Sequence, residues 1–237
     1  MGLFPILRYN NKDKDMNKYV DNNILSSSVR MLRKLADNTN SNAEFKYVLS
    51  ATSISKFTSR LASLTEKVDC TDYELGKDIE ECKRKVKGDM FELFTVLFFN
   101  AFGGDRSLFL HDIKWAYRDQ VGYDFTATNK EGDVCIIQSK FVANASAKFE
   151  KDGRLETFFG SLPEGVVIKK DIPSRVLFTT ASNVGSYYLN EQRRSSKNFL
   201  IIDKKFINRF TKDNLGFWKF CEEKAKQLFP EKVGSLQ

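Results

Sequence analysis

Two short runs near the middle of the chain, 121–128 (VGYDFTAT) and 134–141 (VCIIQSKF), are rich in β-branched and aromatic residues. Asn129, Gly132 and Asp133 lie between them. This pattern predicts a β-hairpin. Upstream, Leu75, Ile79, Cys82, Val86, Met90, Leu93 and Leu97 recur every three or four positions, the spacing of a helix face. Asp72 is its expected N-cap and Gly103-Gly104 its expected stop, and Gly88 could divide it in two. After Gly88 nearly every position is apolar, so this helix is expected to be buried on most sides. Helical spacing also covers 24–36 and 44–68, the latter at Ile54, Phe57, Leu61, Leu64 and Val68. The Asn/Ser-rich stretch 37–43 reads as a loop between them. Residues 217–229 form an amphipathic C-terminal helix whose aromatics belong to the core.

Polar residues inside these apolar elements carry the chemistry. Strand side chains alternate, so Gln138 and Lys140 share one face and Ser139 takes the other. Asp124 opens the first strand and Lys140 closes the second, and those ends are neighbours in an antiparallel pair. An acid, an amide and an ammonium therefore meet at one edge of the hairpin. Glu92 stands alone in the run MFELFTVLFFNAF. A buried carboxylate needs an ion partner or a metal. A hard cation such as Mg²⁺, or Mn²⁺ in its place, takes oxygen ligands of this kind. It polarises a phosphate and activates water. Lys140 could orient or deprotonate that water, or stabilise charge on the phosphorane. Each residue also has a bland reading: Asp124 as a turn residue, Gln138 and Lys140 as a solvated face, Glu92 as the partner of an arginine or a backbone amide.

The segment 88–140 resembles the PD-(D/E)xK nuclease superfamily, in the Gln-x-Lys form of its Mrr-like branch. Carried over, Glu92 in the GDMFE run matches the helix glutamate, Asp124 the aspartate and Lys140 the lysine. Gln138 stands where most members have an acid, which leaves the number of metals open. The resemblance implies a restriction-endonuclease-like α/β fold, a central mixed sheet flanked by helices, here with a helical N-terminal extension. It implies a helix at 154–162, strands at 176–183 and 199–203, and a helix from Tyr187 to Ser196. It implies a Mg²⁺-dependent DNA endonuclease with Glu92, Asp124, Gln138 and Lys140 catalytic and the first three holding the metal.

The division expected is a helical region over 1–87 and a nuclease domain over 88–237. The N-terminal helices could bind DNA, mediate homodimerisation, or only cover a sheet face. The net charge of +7 suits a polyanionic partner. Its distribution says more, because 88–140 is net acidic and both flanks are net basic. Arg193, Arg194 and Lys197 are the densest candidates for nucleic-acid contact, with a solvated helix end as the plain alternative.

Four scattered cysteines (70, 82, 135, 221) without C-x-x-C spacing suggest reduced thiols and no zinc site. The one histidine, His111, argues against Ser-His, Cys-His and multi-histidine metal chemistry, and reads as a loop residue. No Walker A or G-x-G-x-x-G motif is present. No apolar stretch reaches transmembrane length, and the start lacks a signal-peptide cleavage site. The expected location is cytoplasmic or nuclear, without secretion or membrane attachment. Two alternatives stand beside the nuclease: a nucleic-acid-binding or assembly module that kept the fold and lost cleavage, and the nuclease part of a larger helicase-nuclease polypeptide.

Overall fold

The hairpin forms as the alternation predicts and seeds a five-stranded mixed sheet. In the computed structural model, β1 (Leu110–Trp115), β2 (Phe125–Asn129) and β3 (Val134–Lys140) run antiparallel. Two further strands, β5 (Arg175–Thr179) and β7 (Phe199–Ile202), add parallel to β3, giving the order β1-β2-β3-β5-β7. The short β4 (Lys148–Phe149) and β6 (Asn183–Val184) pair separately. The structure describes residues 27–64, 68, 79–102, 110–116, 122–129, 131–144, 148–149, 154–160, 174–185, 188, 190, 199–212 and 214–231. The helices are α1 (Ser27–Leu35), α2 (Thr39–Leu49), α3 (Ile54–Ser63), α4 (Ile79–Phe102), α5 (Arg154–Gly160), α6 (Lys204–Thr211) and α7 (Leu215–Leu228).

Each face of the sheet buries one set of alternate residues. Phe125, Ala127, Cys135, Ile137, Val176 and Phe178 belong to the larger core under α4. Ile136 and Leu177 belong to a smaller cluster with Leu155 and Phe158 of α5 and with Tyr123. Phe178 sits at the centre of the larger core, its ring 5.2 Å from Phe98 and 5.4 Å from Phe91. Residues of α1, α2, α3 and α7 join the same core, so the N-terminal helices pack against α4 and α7.

Several elements depart from expectation. Gly88 does not divide α4, which runs unbroken from Ile79 to Phe102. A mid-helix glycine costs about 1 kcal/mol relative to alanine. Burial of Met90, Phe91, Phe94, Val96, Leu97 and Phe98 outweighs that. The helix ends immediately before Gly103, while the expected cap Asp72 lies outside the described residues. The stretch 37–43 is not all loop. Asn38 accepts from Asn40 N–H at 2.9 Å and caps α2, which begins at Thr39. A weak helix former there is held by tertiary burial, since Asn42 Nδ2 donates to Ala36 O and Pro230 O. Residues 44–68 form two helices instead of one, because Ser53 caps α3 by accepting from Lys56 N–H.

His111 is in β1 and exposed, next to a bulge where Asp112 takes a positive φ of 52°. The expectation of four reduced thiols fails at Cys82, which is disulfide-bonded. Spacing along the chain carries no information on such a pairing, which tertiary packing decides. Cys135 and Cys221 are free and buried, and burial pushes the Cys135 thiol up to about 12. Among the described residues no helix is long and apolar enough to cross a membrane.

Candidate functional site

The site forms where the β2–β3 ladder runs out. Phe125 pairs with Ile137, and the ladder continues one step further through Asp124 N–H donating to Ile137 O at 2.9 Å. The next β3 amide on that side is Ser139 N–H, and no strand carbonyl meets it. The Asp124 side chain takes that place. Its Oδ2 accepts from Ser139 N at 2.7 Å, Ser139 Oγ at 2.9 Å and Gln138 Nε2 at 2.5 Å.

Gly122 makes the approach. It holds φ at 102°, and a Cβ there would sit 3.0 Å from the backbone of Thr157 and Phe158 in α5. Arg175 closes the other side, donating to the carbonyls of Phe158 and Phe159 at the end of α5. At the same C-terminal end of β3, Thr179 Oγ1 donates to Lys140 O at 2.8 Å, and Thr180 Oγ1 both accepts from Val142 N and donates to Val142 O.

The electrostatics oppose one another. Burial raises the Asp124 pKa above the ordinary carboxylate range. The Ser139 amide, the Lys140 charge, the Ser139 hydroxyl and the Gln138 amide pull it back, in that order, and the net shift is upward. Two acceptors stay open. Among the described residues no donor reaches Asp124 Oδ1 or the buried Gln138 Oε1. Lys140, half-buried, has no ion-pair partner among them either.

Asp124, Gln138 and Lys140 are thus brought together as the alternation requires. Ser139 joins them, which alternation does not foretell. Its side chain is on the α4 side, and it reaches Asp124 because Asp124 precedes β2 and lies off the strand end. Glu92 sits at the same end of the sheet. Its neighbour Phe91 packs on Phe141, the residue after Lys140, at 6.0 Å. No hydrogen bond or ion pair joins Glu92 to Asp124, Gln138 or Lys140 among the described residues.

The expectation of a deeply buried Glu92 is corrected, because its position on α4 is partly exposed. The buried carboxylate of this helix is Asp89, at 2% exposure, with Lys85 Nζ 3.2 Å away. Arg193, Arg194 and Lys197 lie outside the described residues.

Among the described residues no three of His, Cys, Asp and Glu cluster as a metal centre. The oxygens that are present suit a hard cation that keeps most of its water. Mg²⁺ is commonly held by one or two carboxylates together with substrate phosphate. Asp124 Oδ1 and Gln138 Oε1, which no donor among the described residues reaches, fit that role.

The chain matches no family model, no curated protein and no solved structure.

Proposed function

We propose that this protein is a Mg²⁺-dependent DNA endonuclease, a restriction-endonuclease-like phosphodiester hydrolase. One observation carries the reading. A carboxylate with one open oxygen, a buried amide with an open oxygen, and an ammonium unpaired among the described residues meet at the end of one hairpin. A buried acceptor left without any donor costs roughly 1–3 kcal/mol, which a cation at this position would offset.

Mg²⁺ at these oxygens supplies Lewis-acid polarisation of the phosphate and a lower pKa for water. Asp124 contributes the charged oxygen, held in aim by Ser139. Gln138 orients Asp124 through Nε2 and presents Oε1. Lys140 places positive charge where the attacking water and the phosphorane oxygens would sit. Glu92, on the adjoining turn of α4, completes the acidic side.

The test is supercoiled plasmid incubated with Mg²⁺, Mn²⁺ or EDTA. The wild type is expected to nick or linearise it only with metal. Lys140→Met keeps the stem and removes the ammonium. It should cut about a hundredfold more slowly, the usual cost of losing one charge-stabilising group, while DNA binding persists. Equal cutting by this variant would remove Lys140 from the chemistry.

A second reading is favoured by the three donors on Asp124 Oδ2. Those three bonds hold Asp124 in place without an ion, as a binding or assembly module that has lost cleavage would need. Wild-type protein that binds DNA and cuts none under any metal would establish it.

Glu92 has its own test. A ligand that binds only the native state stabilises it by about 2.7 kcal/mol at a hundredfold excess over Kd. Millimolar Mg²⁺ or Mn²⁺ should therefore raise the wild-type melting temperature by a few degrees. Glu92→Gln should gain much less from metal. A full metal shift in this variant would take Glu92 out of the site.

A further inference from the structure

In α4 and α7 three lysines are paired with acids one turn away: Lys83 with Glu80, Lys85 with Asp89 and Lys226 with Glu222. Helices α3 (ISKFTSRLAS) and α6 (KKFINRFT) contain no acid at all. Along α6, Lys205, Arg209 and the C-cap Lys212 fall at i, i+4 and i+7, one above the other on an exposed face. The acid before the helix, Asp203, is engaged as N-cap, its Oδ1 accepting from Phe206 N–H at 2.8 Å. None of the three cations has an ion-pair partner among the described residues. Arg209 lies over the Phe206 ring at 4.4 Å, which holds its guanidinium on this face. Lys204 ties α6 to α3 by donating to Thr58 Oγ1 at 3.2 Å.

A row of like charges at helical spacing weakens its own helix, so an uncompensated row is informative. Its position matters as much. Strands β3, β5 and β7 are parallel, so their C-terminal ends lie together. Lys140 ends β3, and α6 begins directly after β7. The link is bonded, because Thr179 Oγ1 donates to Lys140 O and Lys204 N donates to Ala181 O. Two strand spacings, roughly 10 Å, separate the β3 and β7 ends. The row itself spans about 10 Å, close to the axial rise of three nucleotides in one DNA strand.

We propose that the exposed Lys205–Arg209–Lys212 face of α6 is a phosphate-tracking surface that holds the DNA backbone beside the Asp124–Lys140 edge. This deepens, and rests on, the nuclease reading as far as its substrate is concerned. The contacts would be to phosphate and would position the strand without reading its sequence.

The test uses the full chain with Lys205, Arg209 and Lys212 all changed to Gln. A control changes the same number of cations elsewhere: Lys34, Lys83 and Lys226 to Gln. Binding to a fluorescent DNA duplex is measured against salt in EDTA, so no cleavage is required. Melting curves confirm that both variants are folded. The α6 variant should bind at least about tenfold more weakly near physiological salt. Its slope of log affinity against log salt should fall by about one for each phosphate that is no longer neutralised. The control should match the wild type.

Equal weakening in both variants would reduce the effect to net charge and overturn the proposal. So would unchanged binding in both, or weakening confined to phosphatidylserine vesicles with DNA binding intact. Cleavage then separates the two readings. Where the nuclease reading holds, the α6 variant should cut plasmid slowly but hydrolyse bis(p-nitrophenyl) phosphate at the wild-type rate. A wild type that hydrolyses neither substrate defeats the nuclease reading, while the binding curves still decide the surface.

Discussion

Asp124→Asn is expected, on the proposed nuclease reading, to reduce metal-dependent DNA cleavage by at least about a hundredfold, because several kcal/mol of charge stabilisation would go with a metal ligand. It is also expected to melt at or above the wild type in EDTA at neutral pH. The pairing of these outcomes follows from the geometry. The Asn oxygen can accept from Ser139 N, Ser139 Oγ and Gln138 Nε2 as Oδ2 does now. The charge that burial penalises is removed. Asp124→Ala is the poorer probe, since it orphans donors at roughly 1–3 kcal/mol each.

The pH dependence follows with a definite sign. The folded-state pKa of Asp124 is raised by burial, so folding favours the protonated form. The stability this contributes is fully present below the ordinary carboxylate value of about 3.9 and is lost as pH rises through the raised value. In EDTA, the melting temperature of the wild type relative to Asp124→Asn should therefore fall from acidic to neutral pH. Added Mg²⁺ should restore the wild type and leave the variant unmoved. A wild type that instead gains on the variant as pH rises would mean that Asp124 is stabilised as a carboxylate by the protein alone, which leaves no need for a cation.

What can be read from the chain follows from the range of each signal. Alternation is local, so it places Asp124, Gln138 and Lys140 at one hairpin end and sets the strands around them. The 3.6-residue period likewise finds α4 and α7. Helix boundaries inside 37–68 are not legible in this way, because Asn38 caps a helix within a stretch whose composition favours loop, and Ser53 caps one within a stretch whose spacing reads as a continuous helix. Asn42 and Phe45 of α2 also meet Pro230 and Phe229, far along the chain, contacts that no local pattern encodes.

Ser139 falls on the wrong face by alternation for a related reason. Its role depends on where the ladder ends, which no pattern within β3 encodes. Glu92 stands out in sequence as an isolated acid, yet burial selects Asp89 three residues earlier. Apolar neighbours in sequence do not say which side of a helix faces the sheet. The charge of α6 is visible in the sequence, but that α6 starts from the same end of the sheet as Lys140 requires knowing that β7 joins the sheet parallel to β5.

Phe178→Ala is expected to lower the unfolding free energy by about 3–5 kcal/mol, a large part of the total stability of an ordinary domain. Phe178 is fully buried, and its ring is 5.2 to 6.3 Å from those of Phe91, Phe94, Phe98 and Phe99. All four belong to α4, so this one strand residue seats the whole helix on the sheet. Removing it leaves a cavity that four rings cannot fill without moving. Phe178→Leu keeps most of the volume and should cost under about 1.5 kcal/mol. Urea unfolding measures both, as a shift of midpoint at unchanged slope. A loss below about 1 kcal/mol in Phe178→Ala would mean that α4 does not rest on β5 in this way. The substitution also reaches the site. Phe91 packs on both Phe178 and Phe141, and Glu92 follows Phe91 while Lys140 precedes Phe141. Loosening Phe91 should therefore displace the turn that carries Glu92 relative to Lys140. Cleavage by Phe178→Ala, assayed where it is still fully folded, should fall further than that of Phe178→Leu. Equal rates under those conditions would separate the seating of α4 from the chemistry at Asp124.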